Sequence, residues 1–446
     1  MNKKYLLSII IIIFFFFWET GSSFSEKGER ADTFDTSVEA VSQRLTNALS
    51  TFDQTEKADR IINRFLSKWE VAGATVGVVK DGRLVFAKGY GLANRENGQE
   101  VQPHHLFRIA SVSKLITAVG IMKLKEEGKL NLDDMVFGPK GILNDTIYQN
   151  IRDKRAKKIT VEHLLRHTAG FSNRYGDHMF LPVLIAKKMN VPAPASSETI
   201  IQFALSRRLH FRPGSRGSYS NLGYVILEKV IEKVNGNGYE EYIKTNLLEP
   251  AGVYDMHLGR NLREDKYANE VNYYEQSDAI LIPAFDGSGE TVYRSNGGNN
   301  IEALGGAGGW IASGSELLKF LVAIDGDESK PDILSKESIE YMTKPSKFGY
   351  SPIGWKGTLS NGTWWRTGTL AGSSALLKHQ NDGMSWVIIT NTSTWRGSDF
   401  PKEMSAMMRR ALHSVKKWPT YDLFNHYETR PAVIAYEEVE GDSDKS

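Results

Sequence analysis

Phe107-Arg-Ile-Ala-Ser-Val-Ser-Lys-Leu-Ile-Thr-Ala-Val-Gly-Ile-Met-Lys-Leu-Lys-Glu-Glu-Gly128 is the stretch on which the fold turns. Its length and composition predict a helix over 107–128. Apolar residues lie all round that helix (Leu115, Ile116, Val119, Ile121, Met122, Leu124) rather than along one stripe, so it belongs at the centre of the molecule. Gly128 is suited to end it. The same stretch carries Ser111 and Lys114, which share a helix face at i, i+3 spacing. A serine in the first turn meets the positive end of the helix dipole. A lysine buried beside it has a depressed pKa and is able to take the serine proton. The spacing alone is not specific. Ser414 and Lys417 repeat it at the end of a predicted C-terminal helix, and a helix start with a surface lysine looks the same.

Outward from this helix the periodicity changes towards both ends. Upstream, 61–69 has helical spacing, and 74–79 and 84–90 read as strands joined at Asp81-Gly82, a hairpin signal. Downstream, 161–166, 197–205 and 222–234 are helical, and a glycine-rich stretch at 305–309 precedes a helix over 313–324. Three strand-like runs follow at 363–366, 373–378 and 385–390, the last two separated by Asn381-Asp-Gly, and a helix spans 400–415. Strands at both ends with helices between them predict an α/β fold. One antiparallel sheet is built from both termini and flanked by helices, with a mainly helical region inserted at about 130–290.

Composition narrows the function classes. The 446 residues are 41% apolar and 24% charged with a net charge of +2, enough chain for a large core and too balanced for a nucleic-acid partner. No cysteine is present, which excludes disulfides, thiolate metal sites, a cysteine nucleophile and a lipidated cysteine anchor. Lys3 and Lys4 precede a nearly unbroken apolar run from Leu6 to Trp18, and small polar residues follow. This is signal-peptide anatomy with cleavage expected after Ser25, and the run is short of the ~20 residues of a membrane span. The expected organisation is a signal peptide at 1–25, a linker at 26–54, a folded domain at 55–418 and an acidic tail at 419–446. The protein is expected to be exported to a periplasmic or extracellular space, and to meet the membrane only if the N-terminal segment is retained.

Two further clusters carry chemistry. Tyr219-Ser-Asn221 follows Arg212-Pro-Gly-Ser and precedes a predicted helix, so it sits on a constrained loop. A tyrosine beside a protonated lysine is stabilised as phenolate and can serve as a general base, while the asparagine amide can bind a substrate carbonyl. Tyr148/Asn150 and Tyr267/Asn269 share the spacing, and simple turn chemistry explains it equally. Arg366-Thr-Gly-Thr369 ends a strand-like run. There the N–H of Thr369, with that of Ser111, can face an oxyanion. Gly368 allows close approach of substrate, and Arg366 and Thr367 can bind an anion, although a strand ending in a turn has the same appearance. His163 and His167 have i, i+4 spacing without the His-Glu-x-x-His order, so neither a metal nor another cofactor is expected. No Gly-x-Ser-x-Gly elbow and no phosphate loop occur.

Taken in order, Ser111-Val-Ser-Lys114, Tyr219-Ser-Asn221 and Arg366-Thr-Gly368 resemble the three motifs of the serine β-lactamase and penicillin-binding protein superfamily, in its class C β-lactamase branch. Glu127-Gly-Lys-Leu-Asn-Leu-Asp-Asp134, Leu164-Leu-Arg-His-Thr-Ala-Gly-Phe171, the loop from Arg212 to Tyr224 and the segment from Gly305 to Phe320 are similar to other stretches of that branch. The resemblance covers about 55–415. It implies a β-lactamase/transpeptidase-like sandwich with its site at the junction of sheet and helical insert. It also implies an acyl-enzyme on Ser111, with Lys114 and Tyr219 moving protons, Asn221 orienting substrate and the N–H groups of Ser111 and Thr369 holding the oxyanion. The substrate class is a small molecule or peptide with a carbonyl centre (an ester, amide, D-peptide or β-lactam), with a cell-wall compound among the candidates. The branch usually places Lys or His where this chain has Arg366. Arginine grips carboxylates but does not shuttle protons, so the substitution bears on β-lactam turnover. It also motivates the alternative of a non-catalytic binding or scaffolding protein that keeps the fold.

Overall fold

The computed structural model describes residues 45–344 and 351–427. Its strands are β1 (Gly73–Lys80), β2 (Arg83–Asn94), β3 (Gln99–Glu100), β4 (Phe107–Arg108), β5 (Met256–Leu258), β6 (Ile282–Pro283), β7 (Thr291–Val292), β8 (Trp310–Ala312), β9 (Gly357–Thr358), β10 (Trp364–Leu370), β11 (Ser373–His379) and β12 (Met384–Thr390). Six helices matter for the site: α1 (Thr55–Lys68), α2 (Ser113–Glu126), α3 (Asn221–Asn235), α4 (Ile301–Gly308), α5 (Gly314–Val322) and α6 (Phe400–Ser414).

The expected sheet from both termini is present. Seven antiparallel strands run in the order β3-β2-β1-β12-β11-β10-β9, so the first and last strands of the described residues meet where Val76 faces Ile388. Side chains alternate between the two faces of each strand. In β12, Trp386 and Ile388 enter an apolar cluster with α1 and α6, while Val387 and Ile389 enter the main core. That main core also takes in α2, whose residues from Ser113 to Met122 are all buried, as its apolar circumference predicts. Helices at 161–165, 197–205 and 221–235 fall where the periodicity put them.

Three features differ from expectation. The helix predicted from residue 107 starts at Ser113. Residues 107–108 pair with β8 instead, in a small sheet ordered β4-β8-β5, and Ala110 at φ +49° breaks the helical path. The short β5 and β8 give no sequence signal, having no alternation long enough to read. The expected linker is docked from residue 45 onward: Asn47 Oδ1 accepts from Gly89 N–H (2.7 Å) and Ser50 Oγ from Ala87 N–H (2.8 Å), satisfying amides of β2. The start of the expected tail is docked too, where Asp422 accepts from Leu84 N–H and Phe424 is buried. The expected signal peptide lies outside the described residues.

Candidate active site

The site is assembled where the turn ahead of α2, the N-terminus of α3, the kinked helix α4 and the outer half of the sheet converge. Ser111 lies on a 3-10 turn, Ala110–Val112, directly ahead of α2. Ser113, the second serine of the motif, fixes that turn: its Oγ donates to Ala110 C=O (2.7 Å) and accepts from Trp310 N–H of β8 (3.1 Å). Tyr219 is carried on a loop that His167 holds. Ser218 N–H donates to the His167 carbonyl (2.8 Å) and Ser220 N–H to its Nδ1 (3.3 Å), while the imidazole lies 4.7 Å from the Tyr219 ring. Burial, with the charges of Arg366, Lys114 and Lys356, holds the His167 pKa well below the ordinary histidine value, so the ring is neutral and accepts through Nδ1.

Around Ser111 the hydrogen bonds close into one network. Ser111 Oγ lies 2.6 Å from Tyr219 Oη and accepts from Lys114 Nζ at 3.2 Å. Lys114 is fully buried, and its Nζ also donates to Asn221 Oδ1 (2.7 Å) and to the Ala307 carbonyl of α4. Burial pushes the lysine down to about 8; Tyr219 opposes this and the Arg366 charge adds to it. For Tyr219, burial raises the pKa, but the neighbouring Lys114 and Arg366 charges outweigh burial and leave the phenol below its usual value. Lowered together, the two groups readily lose a shared proton and present a base to Ser111.

Asn221 is held at both ends of its amide, with Oδ1 on Lys114 and Nδ2 on Asp177 Oδ2 (2.7 Å). Asp177 and the Ala307 carbonyl are absent from the sequence reading. Asp177 caps a short turn at 178–180, a role that carries no catalytic signature. A backbone carbonyl such as that of Ala307 has no residue identity to read.

β10 forms the opposite wall. Lys356 N–H donates to the Trp365 carbonyl, so Trp365 directs its peptide groups to the outer edge of the strand. Antiparallel alternation then aims the N–H groups of Thr367 and Thr369 the same way, beyond the point where β9 stops pairing. Arg366 and Gly368 face the 3-10 turn. A Cβ on Gly368 would come within 2.1 Å of the Ile109 carbonyl and 3.0 Å of Ser111 N, so only glycine lets β10 lie this close. Arg366, expected to grip an anion, is 2% exposed; its Nε donates to the Ser111 carbonyl (2.8 Å) and its Nη2 is buried without a partner. A cavity of about 520 Å³ opens over these groups, lined by Ser111, Tyr219, Asn221, Arg366, Thr367 and Thr369 among others. All the sequence-selected residues except Lys114 and Gly368 line it; Lys114 is buried and reaches the site through its bond to Ser111 Oγ, and Gly368 lies against the backbone of the 3-10 turn. Among the described residues no cluster of His, Asp or Glu is arranged to hold a metal.

Comparison with known proteins bears on the same stretch of chain. Penicillin-binding protein 4* of Bacillus subtilis (strain 168) is 30% identical over 278 residues, covering 61% of this chain and 55% of the relative. Protein flp of Staphylococcus aureus (strain NCTC 8325 / PS 47) is 29% identical over 238 residues, covering 53% and 42% respectively. The chain thus spans about half the length of the curated relatives it matches. Among solved structures, an octameric penicillin-binding protein homologue from Pyrococcus abyssi superposes with a TM-score of 0.59 at 28% identity, covering 81% of this chain and 79% of its own. The D-amino acid amidase of Ochrobactrum anthropi SV3 reaches 0.63 at 18% identity, over 82% of this chain and 99% of its own, a likeness of fold. The Beta-lactamase family model matches residues 58–406, from α1 to α6 and across every motif gathered at the cavity; the chain belongs to that family.

Proposed function

We propose that this protein is an exported serine hydrolase that forms an acyl-enzyme on Ser111. The observation that carries the reading is the double contact at Ser111 Oγ, 2.6 Å from Tyr219 Oη and 3.2 Å from Lys114 Nζ. Tyr219, ionised beside the Lys114 ammonium, takes the proton of Ser111 as Oγ bonds to the substrate carbonyl carbon. The oxygen of the tetrahedral intermediate is held by the N–H groups of Ser111 and Thr369. Collapse breaks the bond to the leaving group, which departs with the proton from Tyr219. Water, deprotonated by the same phenolate, then attacks the ester on Ser111 and releases the acid. The carbonyl substrate is an ester, amide or D-peptide, and the penicillin-binding protein named among the relatives supports a peptide-like compound. Export rests on the charged, apolar and small-residue order of 1–25, and N-terminal sequencing of the mature protein checks it.

The test is acylation. Purified protein incubated with a fluorescent penicillin or a fluorophosphonate is digested, and the modified peptide identified by mass spectrometry. A label on the peptide containing Ser111, absent in Ser111→Ala, is expected. Absence of label with both probes overturns the reading.

A further inference from the structure

Lys114 Nζ reaches Ser111 Oγ while two further acceptors hold it, Asn221 Oδ1 and the Ala307 carbonyl. Asn221 opens α3, and Ala307 lies in the last turn of α4, where helix carbonyls lack an intrahelical partner. α2 meets those carbonyls with one face. Lys114 donates to the Ala307 carbonyl, and Thr117, three residues on, donates through Oγ1 to the Gly306 carbonyl (2.7 Å).

Glu228 holds the same segment from the other side. It stands seven residues after Asn221, on the same face of α3, and is buried. Its Oε2 accepts from Gly306 N–H (2.7 Å). Gly305, beside that amide, leaves the helical region, and Oε2 fills the space its Cβ would need, 2.0 Å away. The 305–307 segment is thus clamped between α2, which donates to its carbonyls, and α3, which accepts from its N–H. A buried carboxylate is costly unless it is paired. Lys229 Nζ lies 3.5 Å from Glu228 Oε1 but only 3.0 Å from Glu198 and from Glu232, so that ion pair does not account for the placing of Glu228. Nor does Glu228 line the cavity over Ser111.

We propose that Glu228 is a positioning residue for Lys114: by holding Gly306 N–H it keeps the Ala307 carbonyl on the ammonium. α3 then sets both acceptors, Asn221 directly and Ala307 through Glu228. This role rests on the acyl-transfer reading above, and it asks of position 228 an acceptor oxygen rather than a charge. It has a signature in the pH profile. Tyr219 acts beside the Lys114 ammonium, so kcat/KM falls again at high pH, where that ammonium is lost. The charged groups facing Lys114 are Tyr219 and Asp177, which favour the ammonium, and Arg366, which opposes it. All three stay in place when position 228 changes. Withdrawal of the Ala307 carbonyl disfavours the ammonium, so the alkaline limb moves to lower pH.

The test measures kcat/KM for an uncharged ester across pH, with the urea midpoint of each variant. Glu228→Met keeps the bulk of the side chain and removes the acceptor. Its kcat/KM at the optimum is expected to fall by roughly 10- to 100-fold, the worth of one hydrogen bond to a charged group. Its alkaline limb is expected about one pH unit below that of wild type. Glu228→Ala reads the same loss where Glu228→Met does not fold. Glu228→Gln keeps an oxygen at the same reach, and is expected to recover the wild-type limb and most of the rate. A limb that stays in place in Glu228→Met or Glu228→Ala while the urea midpoint falls makes Glu228 a packing residue and overturns the proposal. A limb displaced as far in Glu228→Gln as in Glu228→Met overturns it too, since charge and not the acceptor then matters. Both results leave the hydrolase reading intact. If wild-type Ser111 is acylated neither by the ester nor by the covalent probes, the hydrolase reading fails and takes the proposal with it.

Discussion

Lys114 and Tyr219 titrate as one unit, because each sits in the field of the other and both touch Ser111 Oγ. Arg366 biases that unit. Its positive charge disfavours the lysine ammonium and favours the tyrosine phenolate, so it lowers both pKa values. The base-competent form of the pair is the one in which Tyr219 is ionised beside the Lys114 ammonium, and kcat/KM should therefore rise with pH through a limb that lies below the usual tyrosine value. Removing the charge raises both groups, so Arg366→Gln is expected to move this limb to higher pH, whereas Arg366→Lys keeps it close to the wild-type position. The pH profile of kcat/KM, taken with an uncharged ester, checks the sign. An unmoved limb in Arg366→Gln would mean that the arginine acts only through its bond to the Ser111 carbonyl. At the nucleophile itself, Ser111→Ala should leave at most a small residual rate, of the order of 10³-fold or more below wild type, as in hydrolases deprived of their nucleophile.

At the scale of elements, the site depends on how closely two backbones approach. β10 lies against the 3-10 turn bearing Ser111 because position 368 has no side chain. Gly368→Ala should force the strand away from Ile109 and part the N–H of Thr369 from that of Ser111. A fall in kcat of about 10²-fold is expected, the usual loss of one oxyanion donor, with the fold retained by circular dichroism. A second backbone constraint lies in α4, where Gly305 has φ +35° and ψ −122° and a Cβ would meet Glu228 Oε2 at 2.0 Å. Glu228 accepts from Gly306 N–H (2.7 Å), and the same helix supplies the Ala307 carbonyl to Lys114. Burial raises the Glu228 carboxyl to about 7. Gly305→Ala is expected to destabilise the protein by about 1–3 kcal/mol, read as a lower urea midpoint. These elements also mark what a sequence can tell. The amphipathic and all-apolar patterns of 197–205, 222–234 and 107–128 suffice to place helices, though not the start of the last, because burial writes a period into the chain. Ser111, Lys114 and Tyr219 were legible as types able to exchange a proton. The inward turn of Arg366 was not, since strand alternation fixes its face only once the sheet's packing is known. Asp177 and the Ala307 carbonyl were illegible because their roles come from tertiary approach alone.

At the scale of the molecule, the sheet joins residues from opposite ends of the chain, and its two faces have different duties. On the Ser111 side the main core carries α2, α4 and α5 and positions the site. On the other side α1 and α6 cover Val76, Val78 and Ile388, with Phe65 stacked on Phe400 at 5.5 Å and Trp69 set edge-on to Phe400 at 5.4 Å. This second cluster holds the first and last helices of the family match together and contains none of the residues assigned to chemistry. Stability and reactivity should therefore separate across the sheet. Phe65→Ala removes a buried ring from the α1–α6 seam and is expected to cost about 3–5 kcal/mol. Acylation of Ser111 by a covalent probe, measured well below the melting temperature, should stay within about 2-fold of wild type, since transition-state contacts lie on the other face. Urea denaturation gives the first quantity and the rate of labelling the second. If labelling slows in proportion to the loss of stability, the sheet is transmitting the seam's packing to the 3-10 turn at Ser111. If stability barely falls, Phe400 and Trp69 have closed over the gap, and the α1–α6 seam is more adaptable than its stacked rings imply.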